Sequence, residues 1–194
     1  FHCDVTDLVH PDGAENLLAV RLENRPESSR WYPGAGLYRH VHLVETSSIH
    51  VPVWGTQLTT PHVETGFASV TLRTTVENAD TDLLHVVTSI EDADGRVVDS
   101  RDTGTRVHHG LPVTQHFTVN APRLWSPESP VLYRAVTKIY AQGQLQDTYV
   151  TPFGIRSIEY VADKGFFLNG QHRKFQGVCL HHDLGPLGAA VNES

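Results

Sequence analysis

The densest group of chemically capable residues is His181-His182-Asp183, placed where the apolar run Phe175, Val178, Leu180 ends. Imidazole and carboxylate groups at the carboxyl end of a strand occupy the usual position of site residues in α/β barrels. There His181 could polarise or hydrogen-bond a substrate and Asp183 could orient it. An ordinary polar turn after a strand accounts for the same residues. A second group is the loop Ser28–Arg39, which sets three aromatics and two arginines among glycines. Aromatic faces pack on the C–H faces of sugars and guanidinium groups bind hydroxyls, so Arg30 and Trp31 suit a carbohydrate. The other use of such a loop is to plug a neighbouring domain, and that reading suits Tyr32, Leu37 and Tyr38.

Other chemistries find little footing. The chain holds 13 His, with His40 and His42 on one strand face and His108-His109 beside a turn. Neither these nor Cys3 and Cys179 give the four-ligand spacing of structural zinc, so no protein-only metal site is expected. Gly34-Ala35-Gly36 lacks the helix that a phosphate cradle needs, and no Gly-x-Ser-x-Gly elbow is present. The net charge is −7 and the basic residues are scattered, which argues against nucleic acid as a main partner. No apolar run is long enough to span a bilayer. Of the 22 Asp and Glu, Glu77, Glu91, Asp92, Asp94 and Asp99 fall in turns or on outward strand faces, where water keeps them ionised. Asn192-Glu193 is an amide–acid pair to which no role is given. No catalytic residue is expected within these 194 residues.

The elements that would position such groups are strands. Val70, Leu72, Thr74 and Val76 alternate with Thr71, Arg73, Thr75 and Glu77. The same period of two runs through Leu84, Val86, Thr88, Ile90 and through Val131, Tyr133, Ala135, Thr137, Ile139. That is the pattern of half-buried antiparallel strands, so the fold class is all-β. The separators are Asn78-Ala79-Asp80, Asp92-Ala93-Asp94-Gly95, Asp102-Thr103-Gly104 and Ala141-Gln142-Gly143, of which Asp94-Gly95 is a strong hairpin signal. About seven strands between residues 56 and 154 make one immunoglobulin-like β-sandwich.

The flanks differ. Residues 1–50 offer strands around Cys3–Val5, Leu17–Leu22 and Arg39–Val44, too few to bury a core alone. Residues 157–183 read as a hairpin, Ser157–Val161 and Gly165–Leu168, followed by a strand Arg173–Leu180. The opening Phe-His-Cys-Asp-Val shows no signal peptide, and both ends read as cut from something longer. Cytoplasm, periplasm and secretion therefore all stay open. Orphaned strand edges would favour pairing with a second copy, a homo-oligomer.

Several runs resemble glycoside hydrolase family 2: Ser29–Arg39 (SRWYPGAGLYR), Trp54–Thr56 (WGT) and Leu124–Tyr133 (LWSPESPVLY). In the same order follow Phe153–Ile158 (FGIRSI), Gly165–Gly170 (GFFLNG) and Gly177–Gly188 (GVCLHHDLGPLG). The last form looks most like bacterial β-galactosidases of that family; relatives acting on glucuronides or mannosides share the earlier runs. The resemblance implies the end of a sugar-binding jelly roll over 1–50, an immunoglobulin-like sandwich over 56–154 and the start of a TIM barrel over 155–194. It implies that His181 lines the sugar subsite with Asp183 beside it, and that Arg30 and Trp31 approach the same pocket. Cys179 departs from the family's Gly-Val-Asn. The two catalytic Glu of a retaining hydrolase would lie beyond Ser194, and the parent's partner would be a β-galactoside. A divalent cation such as Mg2+ is compatible with the full enzyme, with no cofactor held by these residues. A non-catalytic carbohydrate-binding or spacer module is the other class of reading.

Overall fold

The computed structural model describes residues 2–10, 12–23, 25–27, 36–37, 39–78, 83–106, 111–179 and 190. The chain folds as two units, Glu45–Phe175 and the pair of segments Phe1–Val44 with Gln176–Ser194. Among the described residues no helix is long and apolar enough to cross a membrane.

The unit Glu45–Phe175 holds seven long strands, β1 (Thr56–Val63), β2 (Phe67–Thr74), β3 (Leu83–Glu91), β4 (Val97–Arg106), β5 (Val113–Asn120), β6 (Tyr133–Ala141) and β7 (Gln144–Phe153). They form two antiparallel sheets, β1-β2-β5 and β4-β3-β6-β7. The fourth strand thus joins β3, where a constant-type immunoglobulin domain would pair it with β5.

The inner face follows the alternation of the sequence. Val70, Leu72, Leu84, Val86, Ile90, Ala135 and Ile139 are fully buried. The interior is nevertheless divided. Ala68, Val70, Leu72, Ile90, Phe117, Val119, Tyr133, Ala135, Phe153 and Ile155 form one apolar cluster. Val51, Val76, Leu84, Val86, Val113, Ile139 and Ala141 form a second. Outside both clusters, each of β2, β3, β5 and β6 contributes one buried polar residue, Thr74, Thr88, Gln115 and Thr137. Thr88 and Thr137 hydroxyls meet at 3.0 Å. Gln115 Nε2 donates to the Val86 carbonyl at 2.8 Å and to Thr103 Oγ1 at 3.0 Å, so one amide ties β5 to the opposite sheet. Buried polar groups are tolerated where they are bonded in this way, whereas Thr74 Oγ1 and Gln115 Oε1 have no hydrogen-bond partner among the described residues.

Tyr133, 3% exposed at the start of β6, accepts the Arg123 backbone N–H at 2.9 Å through its hydroxyl. This is the corner that immunoglobulin-like sandwiches use to pin the connection into the sixth strand. Bulges supply two further ties. An extra residue in β4 turns Asp99 inward, where its carboxylate accepts the Thr118 N–H of β5 at 2.8 Å and the Arg101 guanidinium at 2.6 Å. Partial burial pushes the Asp99 pKa up, but the Thr118 and Ser100 amides and Arg101 outweigh it and hold the group below its ordinary value. An extra residue in β7 lets Asp147 accept the Val51 N–H at 2.8 Å, fixing the segment that leads into β1. The free edge strand β1 is itself broken by a register shift between Thr59 and His62, where Pro61 sits.

A smaller antiparallel sheet, β10-β9-β8, follows: β8 (Ile158–Val161), β9 (Gly165–Leu168) and β10 (Gln171–Arg173). Leu168 pairs with Gln171 across a two-residue turn. Asn169 (φ 52) and Gly170 (φ 75) are both left-handed, the type I′ geometry that Asn-Gly favours.

Four expectations need correction. Cys3–Val5, Leu17–Leu22 and Arg39–Val44 form no strand; the described residues before Glu45 hold only a 3-10 turn, Thr6–Leu8. Leu17, Leu18, Val41 and Leu43 there are 88%, 74%, 68% and 84% exposed, for alternation without a partner sheet gives a segment nothing to bury against. The strand expected over Arg173–Leu180 ends at Arg173, and Leu180 lies outside the described residues. Asp102-Thr103-Gly104 is no turn but the interior of β4. His85 stands opposite Gly104 and bonds Asp102 at 3.0 Å, so a cross-strand ring fills the space the glycine leaves. Finally, Asp99 and Glu91 are no solvated carboxylates: their side chains are only 17% and 19% exposed.

Candidate functional site

His181, Asp183, Arg30 and Trp31 lie outside the described residues, as do His108, His109, Asn192 and Glu193. His40 and His42 fall in extended chain outside any strand, their rings 6.0 Å apart. What the described residues do bring together is three separate sequence runs, Leu124–Tyr133, Phe153–Ile158 and Gly165–Arg173. They meet where the sandwich hands the chain to β8–β10.

The run after β5 folds on itself. Ser126 and Ser129 exchange backbone bonds at 3.0 and 3.1 Å, with Pro127 presetting the turn. Trp125, just before, donates its N–H to the Ile155 carbonyl at 2.8 Å. Ile155 is fully buried in the first apolar cluster, so this bond fastens Trp125 to the end of the core. Gly154 permits the approach: a Cβ there would fall 2.9 Å from Trp125 Cβ, a distance real side chains do not tolerate. The Arg156 guanidinium lies over the Trp125 ring, 5.0 Å from its centroid, a cation–π arrangement.

Asn169 completes the junction. Its Oδ1 accepts the Ser157 N–H and its Nδ2 donates to the Trp125 carbonyl, each at 3.0 Å. Its own N–H donates to the Ser157 carbonyl, also at 3.0 Å. The left-handed turn is what aims this short amide at two other segments. Arg173 then grips Glu128 through both terminal nitrogens, at 2.6 and 3.0 Å, a fork that suits a carboxylate. That side-chain bond to Arg173, with the loop's own amide and the Ser126 hydroxyl, holds the Glu128 pKa below its ordinary value. At the far end of the small sheet Tyr160, Phe166 and Phe175 form an aromatic row with centroids 5.3 and 4.6 Å apart. Tyr160 and Phe175 are 76% and 74% exposed.

The bonds of this arrangement orient the chain. A general acid needs a carboxyl pKa raised by its surroundings, whereas the shifts resolved here, at Asp92, Asp99 and Glu128, are all downward. Of two open depressions on this unit, one carries Glu45 and Asp147, but both Asp147 oxygens accept backbone amides, from Val51 and Thr148. The other, bordered by Leu58, Phe153, Gly154 and Arg156, has no acid. Among the described residues no three His, Cys, Asp or Glu gather to hold a metal ion.

Trp125, Gly154 and Asn169 stand within family-like runs of the sequence, yet nothing in those runs assigns them a task. No local signal could, because Trp125 and Asn169 are 44 residues apart.

Comparison with known proteins fits this picture. Residues 51–156 match the family model described as glycosyl hydrolases family 2. Over 99% of its length the chain is 45% identical to the β-galactosidase BoGH2A of Bacteroides ovatus, covering 23% of that protein. It is 35% identical, over 91% of its length, to a putative β-glucuronidase of Formosa agariphila, covering 17% of it. A crystal structure of a family 2 member from Bacteroides cellulosilyticus superposes with a TM-score of 0.86 at 35% identity, over 96% of this chain and 26% of that one. The chain thus spans about a quarter, or less, of each of these three proteins. Residues 51–156, which hold the sandwich, are the immunoglobulin-like part of a family 2 glycosyl hydrolase, and the chain belongs to that family.

Proposed function

We propose that the whole protein is a retaining glycosidase that releases terminal β-galactosyl residues, and that residues 45–175 are its non-catalytic spacer and aiming device. The observation that carries this reading is the 45% identity to a β-galactosidase across 99% of the chain. In such chemistry one carboxylic acid protonates the leaving oxygen while a second carboxylate, about 5–5.5 Å away, attacks the anomeric carbon. Neither of these carboxylates is assigned to the described residues, and the 194 residues on their own are expected to release no sugar from an aryl glycoside. The resemblance to the family assigns sugar binding to His181 and Asp183, and to Arg30 and Trp31 an approach to the same pocket.

A β-glucuronidase is the second reading, favoured by the 35% identity to the Formosa agariphila protein. Full-length protein assayed on matched aryl β-galactoside and aryl β-glucuronide separates the two. Faster release from the galactoside is expected; preference for the glucuronide overturns the assignment. His181→Ala should lower kcat/KM by roughly a hundredfold or more with unchanged Tm, as loss of a transition-state contact does. An unaltered kcat/KM removes His181 from the site.

A further inference from the structure

We propose that Asn169-Gly170 is a latent deamidation site, held shut by the junction, whose conversion to a carboxylate releases β8–β10 from the sandwich. It is the one Asn-Gly pair in the sequence, and asparagine is among the thermolabile residues. Gly170 is exposed, with no atom within 4 Å of where a Cβ would stand, so water and base reach this flank of the turn. The reaction needs no added reagent. The Gly170 nitrogen loses its proton and attacks Asn169 Cγ; the amide leaves as ammonia and a succinimide ring remains. Water then opens the ring to aspartate or isoaspartate.

Three bonds oppose the first step. For the Gly170 nitrogen to reach Cγ the Asn169 side chain must turn, yet Oδ1 is held by the Ser157 N–H and Nδ2 by the Trp125 carbonyl. The backbone must also leave the left-handed turn, which the Asn169 N–H bond to the Ser157 carbonyl resists. Cyclisation therefore proceeds only from the opened junction, and its rate follows how often that opening occurs. The product cannot close again as before. Its carboxylate can still accept from Ser157, but facing the Trp125 carbonyl it sets acceptor against acceptor where a donor stood. Damage thus marks those molecules whose small sheet has already come loose, and keeps it loose.

The test is peptide mass spectrometry of residues 165–173 in full-length protein held in mildly alkaline buffer, against the same protein in denaturant. Native protein should deamidate at Asn169 at least roughly tenfold more slowly, and Arg173→Gln, which loosens the junction without touching Asn169, should recover a large part of the difference. Equal rates in native and denatured protein, or an Arg173→Gln rate equal to the native one, overturn the proposal. Asn169→Asp supplies the second arm. Hydrogen exchange at Ile158–Arg173 should accelerate while β2, β3 and β6 keep their protection. Unchanged exchange at Ile158–Arg173 in that variant overturns the release.

Discussion

The seven-stranded sandwich and the three-stranded sheet β8–β10 are built from the same antiparallel pairing, yet they are stabilised by different means. The sandwich encloses two apolar clusters, with Val70, Leu72 and Ile90 fully buried in one and Leu84, Val86 and Ile139 in the other. The small sheet buries one residue, Leu168, and leaves Tyr160 and Phe175 in solvent. It is held through named bonds at one end, from Asn169 to Trp125 and Ser157 and from Arg173 to Glu128. Burial is distributed over many neighbours and tolerates small shifts, whereas a handful of directed bonds fixes an angle and fails when one is lost. The first region has an interior; the second has an orientation.

That contrast can be broken at graded points. Phe117→Ala removes a 2% exposed ring from the larger cluster and should cost about 3–5 kcal/mol by chemical denaturation, loosening sandwich and small sheet together. A smaller, local effect is expected for Gly154→Ala, whose methyl would fall against Trp125; a loss of about 1–3 kcal/mol should be read most strongly in exchange at Ile158–Arg173. If the whole sandwich loosens equally, the junction is no separate device.

Thr137→Val leaves the Thr88 hydroxyl without its buried partner and should cost about 1–2 kcal/mol, while Thr88→Val with Thr137→Val should restore part of that loss. Additive losses would show that the two hydroxyls do not serve one another. The smallest effect is electrostatic. Because Arg173 keeps the Glu128 pKa below its ordinary 4.5, the tie is fully present above that value and is lost as pH falls through the lower folded value. Amide chemical shifts of Asn169 and Gly170 should move on acidification in the native protein, and Glu128→Gln should show the acid-like shifts already at neutral pH. Identical titrations in both forms would remove Glu128 from the junction.

Most of the sandwich was legible in the sequence. Thr74, Thr88 and Thr137 sit at core-facing positions of the alternation, and all three are fully buried. What defeated reading were features made by remote partners. The run Leu17–Leu22 is as apolar as many strands, but a pattern of residue types does not say whether another sheet meets it. Thr103-Gly104 has turn composition, and only the ring of His85 across the ladder explains its place in β4. Asp99 joins two strands because a bulge turned it, and bulges leave little trace in composition. The junction was present as motifs but not as spatial neighbours, since its three runs are joined only by folding. His181, Asp183, Arg30 and Trp31 lie outside the described residues, so their reading rests on spacing and resemblance.

The interruption of β1 at Pro61 has a further consequence, for the company the sheet keeps. A free edge strand is a template on which a stray β-segment from another molecule can extend a ladder, the first step of aggregation. Here the template is split: Thr56–Thr59 lie on one side of the register shift and His62–Val63 on the other, and the proline offers no N–H. A visiting strand can zip only a few residues before the bonding pattern fails. The register shift in this edge of the three-stranded sheet thus shortens the template that it offers to a visiting strand.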